Sequence, residues 1–198
     1  SRSPGATVPV NARVDSANEI HEISETNNEY SYTANVIWNG YNGRRWADGG
    51  PDITTQSVYP VNGNIVYSNG DSTYRYVADT YYSHWTAADL PIPANATIES
   101  ARLYATYTWD SAWLVPDHIT MAFNGKTIPY EHWYYDYKHW GDQYSYPFGV
   151  LIYDVTDQFS ASGNTMAMDL VNRQSGQFIP FRGMTLVVVY NDPEESEK

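Results

Sequence analysis

The sequence predicts an all-β protein, an antiparallel two-sheet sandwich or jelly-roll-like fold with an N-terminal β-hairpin extension. No long segment places apolar residues at the i, i+3, i+4 and i+7 spacing of an amphipathic helix. Short alternating segments are separated instead by Asn-Gly pairs, which tolerate the positive φ of a hairpin turn. Aromatic residues make up 16% of the 198 residues, with 19 tyrosines, and such side chains suit half-buried strands and interfaces.

The first predicted element is a hairpin formed by strands at residues 8–15 and 29–38. The connection between them is rich in Asn and Glu, whose side chains can form local turns. An exposed strand edge is a template for pairing with another chain, so the hairpin could donate a strand to a neighbouring subunit. The apolar residues of such a donor are Val10, Ala12, Val14, Ile20 and Ile23. The alternative is that the hairpin packs within its own chain.

Three further segments predict strands of the sandwich. Residues 102–109 and 119–123 alternate between apolar and polar side chains, which is typical of strands with one buried face. Residues 185–190 form a continuous apolar run, which predicts a strand buried on both faces in the middle of the sandwich.

Two Asn-Gly pairs lie between strand-like segments and predict tight hairpins. The first is Asn69-Gly70, within residues 64–77, and the second is Asn124-Gly125, within residues 119–130.

The segment 130–148 is dense in aromatic residues and too irregular for a single strand, so we expect a long loop between two core strands. Its side chains could anchor a protein interface, cover the open end of the core, or form a platform on which sugar rings stack. The residues concerned are Trp133, Tyr134, Tyr135, Tyr137, Trp140, Tyr144 and Tyr146.

Four carboxylates are candidate calcium ligands. Asp110 and Asp117 bracket one loop, and Asp154 and Asp157 lie in the sequence YDVTD. Extracellular β proteins often hold Ca²⁺ between such loops through six to eight oxygens. The alternative for Asp154 is a local turn in which its side chain binds nearby amides.

Charge and motifs exclude several classes of function. The formal net charge is −12 and the pI is about 4.6, which argues against nucleic acid and anionic membranes as partners. The sequence contains no run of about 18 apolar residues, so it predicts no membrane-spanning helix. The sequence has no G-x-S-x-G motif, no cysteine and no phosphate-binding loop, and nothing singles out a catalytic pair of carboxylates. We therefore expect a protein that is not an enzyme.

The N-terminal 37 residues resemble the last two strands of a CARDB module, a cell-adhesion-related domain of prokaryotic surface proteins. The residues that carry the resemblance are Asp15, Asn18, Ile20, Glu22, Glu25, Asn27 and Asn28.

The remainder of the chain, residues 38–193, resembles an archaeal, methanogen-type surface-protein domain of unknown function. The matching residues are 38–41, 44–46, 101–104, 107–110, 123–125, 153–156, 163–164 and 183–190, in that order. Residues 194–198 form an acidic tail.

These resemblances imply an extracellular or cell-envelope protein. The expected function is that of a structural subunit in a filament, sheath or S-layer-like lattice, assembled as a homo-oligomer or polymer through strand edges and aromatic patches. The alternative is a carbohydrate-binding or adhesion module with glycans as partners. In an extracellular setting, the sequon at Asn95 would be a glycosylation site.

Overall fold

A computed structural model of the protein describes residues 7–13, 28–35, 57–137 and 146–194. Within these ranges the backbone forms strands, turns and a single 3₁₀ turn at Thr156–Gln158, which confirms the all-β prediction. The strands are β1 (Thr7–Arg13), β2 (Glu29–Asn35), β3 (Gly63–Ser68), β4 (Arg75–Val77), β5 (Thr80–Thr86), β6 (Thr97–Tyr107), β7 (Ile119–Phe123), β8 (Lys126–Ile128), β9 (His132–Tyr137), β10 (Pro147–Asp154), β11 (Gly163–Leu170) and β12 (Ile179–Asn191).

Two antiparallel sheets form the sandwich. The six-stranded sheet has the order β3-β12-β6-β10-β9, with β4 also paired to β12, and we call it the large sheet. The four-stranded sheet has the order β5-β11-β7-β8, and we call it the small sheet. The chain passes repeatedly from one sheet to the other, so neighbours in a sheet are mostly distant in sequence.

The core lies between the two sheets and follows from strand alternation. On β6, Leu103, Ala105 and Tyr107 are at most 1% exposed, and they belong to the same buried cluster as Met166 of β11 and Trp85 of β5. Side chains two residues apart on a strand point to the same face, so the alternating pattern at residues 102–109 correctly predicted this buried face.

The predicted hairpin at Asn124-Gly125 is present. Both residues have positive φ, 49° and 80°, as a type I′ turn requires, and Phe123 of β7 pairs with Lys126 of β8.

The predicted hairpin at Asn69-Gly70 is wrong. β3 and β4 do not pair with each other, because both lie along the same edge of β12: Ser68 faces Leu186, and Arg75 faces Phe181. Residues 69–74 are a loop that interrupts one edge strand, and only Gly70 of the Asn-Gly pair has positive φ.

The apolar run at residues 185–190 was expected to be buried on both faces, and this is correct for one face only. Leu186 and Val188 are fully buried, whereas Val187 and Val189 are half-buried. The second pair lies on the outer face of the large sheet, meaning the face turned away from the small sheet. The strand nevertheless has partners along both edges, as expected for an interior strand.

The aromatic segment 130–148 is not one irregular loop. Residues 132–137 form β9, the edge strand of the large sheet, and Tyr137 pairs with Pro147 of β10. The predicted loop is therefore in part a strand, because alternating β-prone aromatic residues form strands readily.

The N-terminal hairpin forms a separate two-stranded sheet. β1 and β2 pair antiparallel from Thr7↔Asn35 to Arg13↔Glu29, which confirms the predicted pairing of these segments. The turn between them and the proposed boundary near residue 37 lie outside the described residues.

Candidate functional site: an aromatic cleft

An open cleft of about 420 Å³ lies at one end of the large sheet, where β6 ends and β10 and β12 begin. Five aromatic residues dominate its lining, and the complete set of described lining residues is Tyr74, Tyr76, Trp109, Ser111, Tyr146, Phe178, Pro180 and Arg182. We call this set the aromatic cleft.

One wall of the aromatic cleft comes from β4 and the start of β12. Tyr76 lies directly opposite Pro180, on the face opposite the buried Phe181. The ring of Tyr76 makes edge-on contacts with Tyr74 and Phe178, at centroid distances of 5.3 and 5.1 Å. Their side chains stay accessible, with 42% of Tyr74, 63% of Tyr76 and 41% of Phe178 exposed.

The other wall comes from the residues next to β6 and β10. The rings of Trp109 and Tyr146 lie 5.8 Å apart, and the amide of Asp110 donates to the carbonyl oxygen of Pro147 at 3.0 Å. Trp109 is 50% exposed and has a φ of 55°, a left-handed conformation that is unfavourable for a bulky residue. Strained backbone persists where the surrounding structure enforces it, and such residues cluster at functional sites.

Asp110 fixes the loop that carries Trp109. Its carboxylate is 1% exposed and accepts hydrogen bonds from the amides of Leu114 at 2.9 Å and Val115 at 2.8 Å. Burial raises the pKa of Asp110 above its usual value, and the bonds from these amides act against that rise. The exposed indole of Trp109 is therefore mounted on an ordered loop.

Arg182 supplies the positive charge of the cleft. Its guanidinium carbon lies 4.6 Å from the centre of the Tyr74 ring, within the range of a cation–π interaction. A side-chain hydrogen bond with Tyr76 is the main cause that raises the pKa of Tyr74, and Arg182 acts in the opposite direction. A bulge in the pairing of β12 with β6 lies between Phe181 and Gly183, so it places Arg182 next to the loop 69–74.

The described members of the predicted aromatic platform do not lie together on an open surface. Trp133 and Tyr135 stack at 4.2 Å and pack against the core, and the indole N–H of Trp133 donates to the hydroxyl of Tyr107 at 2.9 Å. Tyr134 is only 5% exposed. This arrangement corresponds to the core-covering role among the alternatives, while Tyr146 alone of the described set lines the aromatic cleft. The side chain of Tyr137, and all of Trp140 and Tyr144, lie outside the described residues.

Two of the predicted strand-donor residues are described. Val10 is 47% exposed and Ala12 is also exposed, both on β1. Val14, Ile20 and Ile23 lie outside the described residues.

The four candidate calcium ligands are not gathered into one site. Asp110 is engaged by backbone amides, and Asp154 accepts hydrogen bonds from the amide and hydroxyl of Thr156 at 3.0 and 2.6 Å, as a local turn requires. Asp117 and Asp157 are exposed on separate turns. Across the described ranges, no group of three or more His, Cys, Asp or Glu residues is placed to hold a metal ion.

Asn95, the sequon residue, is exposed in a turn before β6, in which the amide of Ala96 donates to the carbonyl oxygen of Pro93 at 3.1 Å. In the part of the chain that the structure describes, no helix is long and apolar enough to cross a membrane.

Sequence reasoning missed the main residues of the aromatic cleft. Tyr74 and Tyr76 are spaced two apart, which places them on one face of an extended chain and was an available signal. Trp109 and Phe178 follow Tyr76 by 33 and 102 residues, and they meet Tyr74 and Tyr76 only through the order of the strands. No local pattern predicts that meeting.

The fold and the cleft define an antiparallel β-sandwich protein with an exposed aromatic surface site. The family described as "Protein of unknown function (DUF3344)" matches residues 40–198, and the chain belongs to this family.

Comparison with curated proteins gave no match. Among solved structures, the crystal structure of a BuGH86 variant in complex with neoagarooctaose is similar at 11% sequence identity, with a TM-score of 0.47. The match covers 65% of this chain and 19% of that chain.

Proposed function

We propose that the protein is a non-catalytic cell-surface module that binds glycans through the aromatic cleft. The observation that carries this proposal is the set of five aromatic side chains that surround one cleft of about 420 Å³. Large apolar side chains exposed together are unusual on a soluble protein and mark binding surfaces.

The chemistry of the lining suits a saccharide. The apolar faces of a sugar ring can pack on Tyr76, Phe178 and Trp109, which stay exposed although they contact one another or Tyr146. The hydroxyl groups of a sugar need hydrogen-bond partners, and Ser111 and Arg182 supply donors at the same site.

We propose binding rather than hydrolysis because the described lining of the cleft has no acidic side chains. Most glycosidases place two carboxylates on either side of the bond that breaks. The eight described residues of the cleft include no Asp, Glu, His or Cys, and the nearby Asp110 is buried under its loop. A cell-envelope location, as the family resemblance implies, would bring this site into contact with external or neighbouring glycans.

A matched pair of tyrosines tests the proposal. Tyr76 in the cleft and Tyr82 on the small sheet are 63% and 62% exposed, so truncation removes a similar exposed ring from each. We expect that the wild-type protein binds at least one polysaccharide in a panel of envelope and algal glycans. Tyr76→Ala should weaken that binding by about tenfold, since loss of one stacked ring removes over 1 kcal/mol of binding energy.

The control Tyr82→Ala should bind as the wild type does. Calorimetry or affinity electrophoresis supplies the measurement. An absence of binding across the panel, or equal effects of the two variants, would show that the cleft is not a glycan site.

A second function, assembly into a filament, sheath or lattice, is favoured by the N-terminal hairpin. Its register places Val10 opposite Tyr32 and Ala12 opposite Tyr30, so these side chains share one apolar face. That face is open: Val10 is 47%, Tyr30 67% and Tyr32 56% exposed. A two-stranded hairpin is marginally stable alone in water, so cover from a second copy of the chain would stabilise it.

Sedimentation, which measures particle size, tests this second function. The double variant Tyr30→Asp and Tyr32→Asp should shift large particles to monomers because it places charge on the apolar face. A control with Ser31→Asp and Thr33→Asp, on the opposite face of the same strand, should leave the assembly intact. Monomeric wild-type protein at every concentration would exclude assembly through this face.

A further inference from the structure

The charge of the aromatic cleft differs from that of the whole chain. The chain has 23 acidic and 11 basic residues. Of the four other arginines that the structure describes, three are paired with acids and Arg75 lies over the Tyr81 ring. Arg13, Arg102 and Arg173 form ion pairs with Glu29, Glu131 and Asp79.

Arg182, like Arg75, lies over an aromatic ring rather than beside an acid. It is exposed, its charge lies over the Tyr74 ring, and none of the ion pairs in the described ranges involves it. The described lining of the cleft also contains no acid that could neutralise it. In so acidic a chain, a cation among aromatic rings with no carboxylate partner in the described ranges leaves room for an anion from a ligand.

The chemistry of the guanidinium also favours an anion over neutral hydroxyls. Its central carbon lies 4.6 Å from the centre of the Tyr74 ring, at the exposed surface of the cleft. A planar guanidinium binds a carboxylate through two parallel hydrogen bonds, and charge-assisted bonds are about twice as strong as neutral ones.

We propose that the preferred ligand of the aromatic cleft is an acidic glycan whose sugar carries a carboxylate or sulfate group that pairs with Arg182. This inference rests on the proposed glycan binding and adds the charge of the ligand to it. The sugar ring would stack on Tyr76 or Trp109 while its anionic group lies beside the guanidinium.

The net charge of −12 repels long polyanions, so short oligosaccharides are the right probes. Trigalacturonic acid and its methyl ester have the same rings and differ in charge. A sulfated galactose trisaccharide separates sulfate from carboxylate as the source of the anion.

We expect the acid or the sulfated sugar to bind about tenfold more tightly than the neutral ester in calorimetry. Arg182→Gln should remove this preference by lowering the affinity for the anionic sugar to about that for the neutral ester. Arg173→Gln, which removes an arginine that is paired outside the cleft, should keep the preference.

The outcomes separate the two proposals. If neutral and anionic sugars bind equally, or if the preference survives Arg182→Gln, the acidic-ligand inference is overturned and glycan binding stands. If none of these sugars binds and the wider panel also fails, both proposals fall.

Discussion

Ser72 is joined by two hydrogen bonds to Met184 of β12. It lies in the loop between β3 and β4, at the gap that these two strands leave along one edge of β12. The Ser72 hydroxyl donates to the carbonyl oxygen of Met184 at 2.9 Å and accepts from its amide at 3.0 Å. One side chain thus supplies the bonds that a strand partner would give to β12 between β3 and β4. The same contact holds the loop that leads to Tyr74.

Ser72→Ala should therefore destabilise the protein. The change leaves a buried amide and carbonyl of Met184 without their partner, which costs about 1–3 kcal/mol of the free energy of unfolding. Urea denaturation measures the loss. Ser175→Ala, at an exposed turn position, is the control and should change stability by less than about 0.5 kcal/mol. Equal effects would show that Ser72 does not bridge the gap.

A pH dependence is expected from Asp71. Burial raises the pKa of this carboxyl, but hydrogen bonds from the backbone and side chain of His84 and from Ser83 outweigh it and hold the pKa below its usual 3.8. A lowered pKa in the folded state means that the stabilisation is present above pH 3.8 and is lost as the pH falls through the folded pKa.

The stability difference between the wild type and Asp71→Asn should therefore shrink as the pH falls below 3.8. Thermal unfolding followed from about pH 7 to about pH 2 measures it. Asp157→Asn controls for the loss of one negative charge. A difference that stays constant across this range would contradict the role of Asp71.

Two glycines should respond differently to alanine. A Cβ at Gly149 would overlap the backbone carbonyl of Tyr134 and lie 3.1 Å from the Tyr107 hydroxyl, so the two paired strands must separate. A Cβ at Gly125 has open space around it, but the φ of 80° is unfavourable for alanine.

We expect Gly149→Ala to unfold the protein or to lower its stability by more than about 3 kcal/mol, since overpacking against backbone cannot relax. Gly125→Ala should cost about 1–2 kcal/mol, the cost of a left-handed alanine. Melting temperatures compare the two. A larger loss at Gly125 would mean that the spacing between β9 and β10 is not fixed as described.

Trp133 and Trp109 should separate stability from binding. Trp133→Phe removes the indole donor to Tyr107 and leaves that hydroxyl without it, at a cost of about 1 kcal/mol in stability, with glycan affinity unchanged. Trp109→Ala should weaken glycan binding with little loss of stability, because half of its side chain is already exposed. Parallel denaturation and binding assays check both predictions. Impaired glycan binding by the Trp133 variant would indicate that the binding site includes β9 rather than the aromatic cleft alone.

The sandwich was predictable because strand alternation and turn chemistry are local. Leu103 and Ala105 both face inward because residues two apart on a strand share one face. Asn124-Gly125 forms the turn that the φ preferences of these two residues favour. The same logic failed at Asn69-Gly70, where the strand partner is β12, more than a hundred residues later in the chain.

The cleft could not be predicted because it, too, depends on contacts between residues distant in sequence. Aromatic density drew attention to Trp133 and Tyr135, which the hydrogen bond to Tyr107 and the stacking contact hold against the core. Tyr76 and Trp109 gave weaker local signals. They meet because β4 and β6 flank the same end of β12, and that neighbourhood is set by tertiary pairing alone.

The left-handed backbone of Trp109 has an evolutionary consequence. Asparagine or glycine would adopt a φ of 55° with less strain, so tryptophan at this position carries a backbone cost that either residue would lower. Selection for heat tolerance alone would discard the indole early, whereas selection for ligand binding at the proposed site would retain it. Homologues from hot and temperate habitats that differ at this one position would record which of the two pressures was stronger.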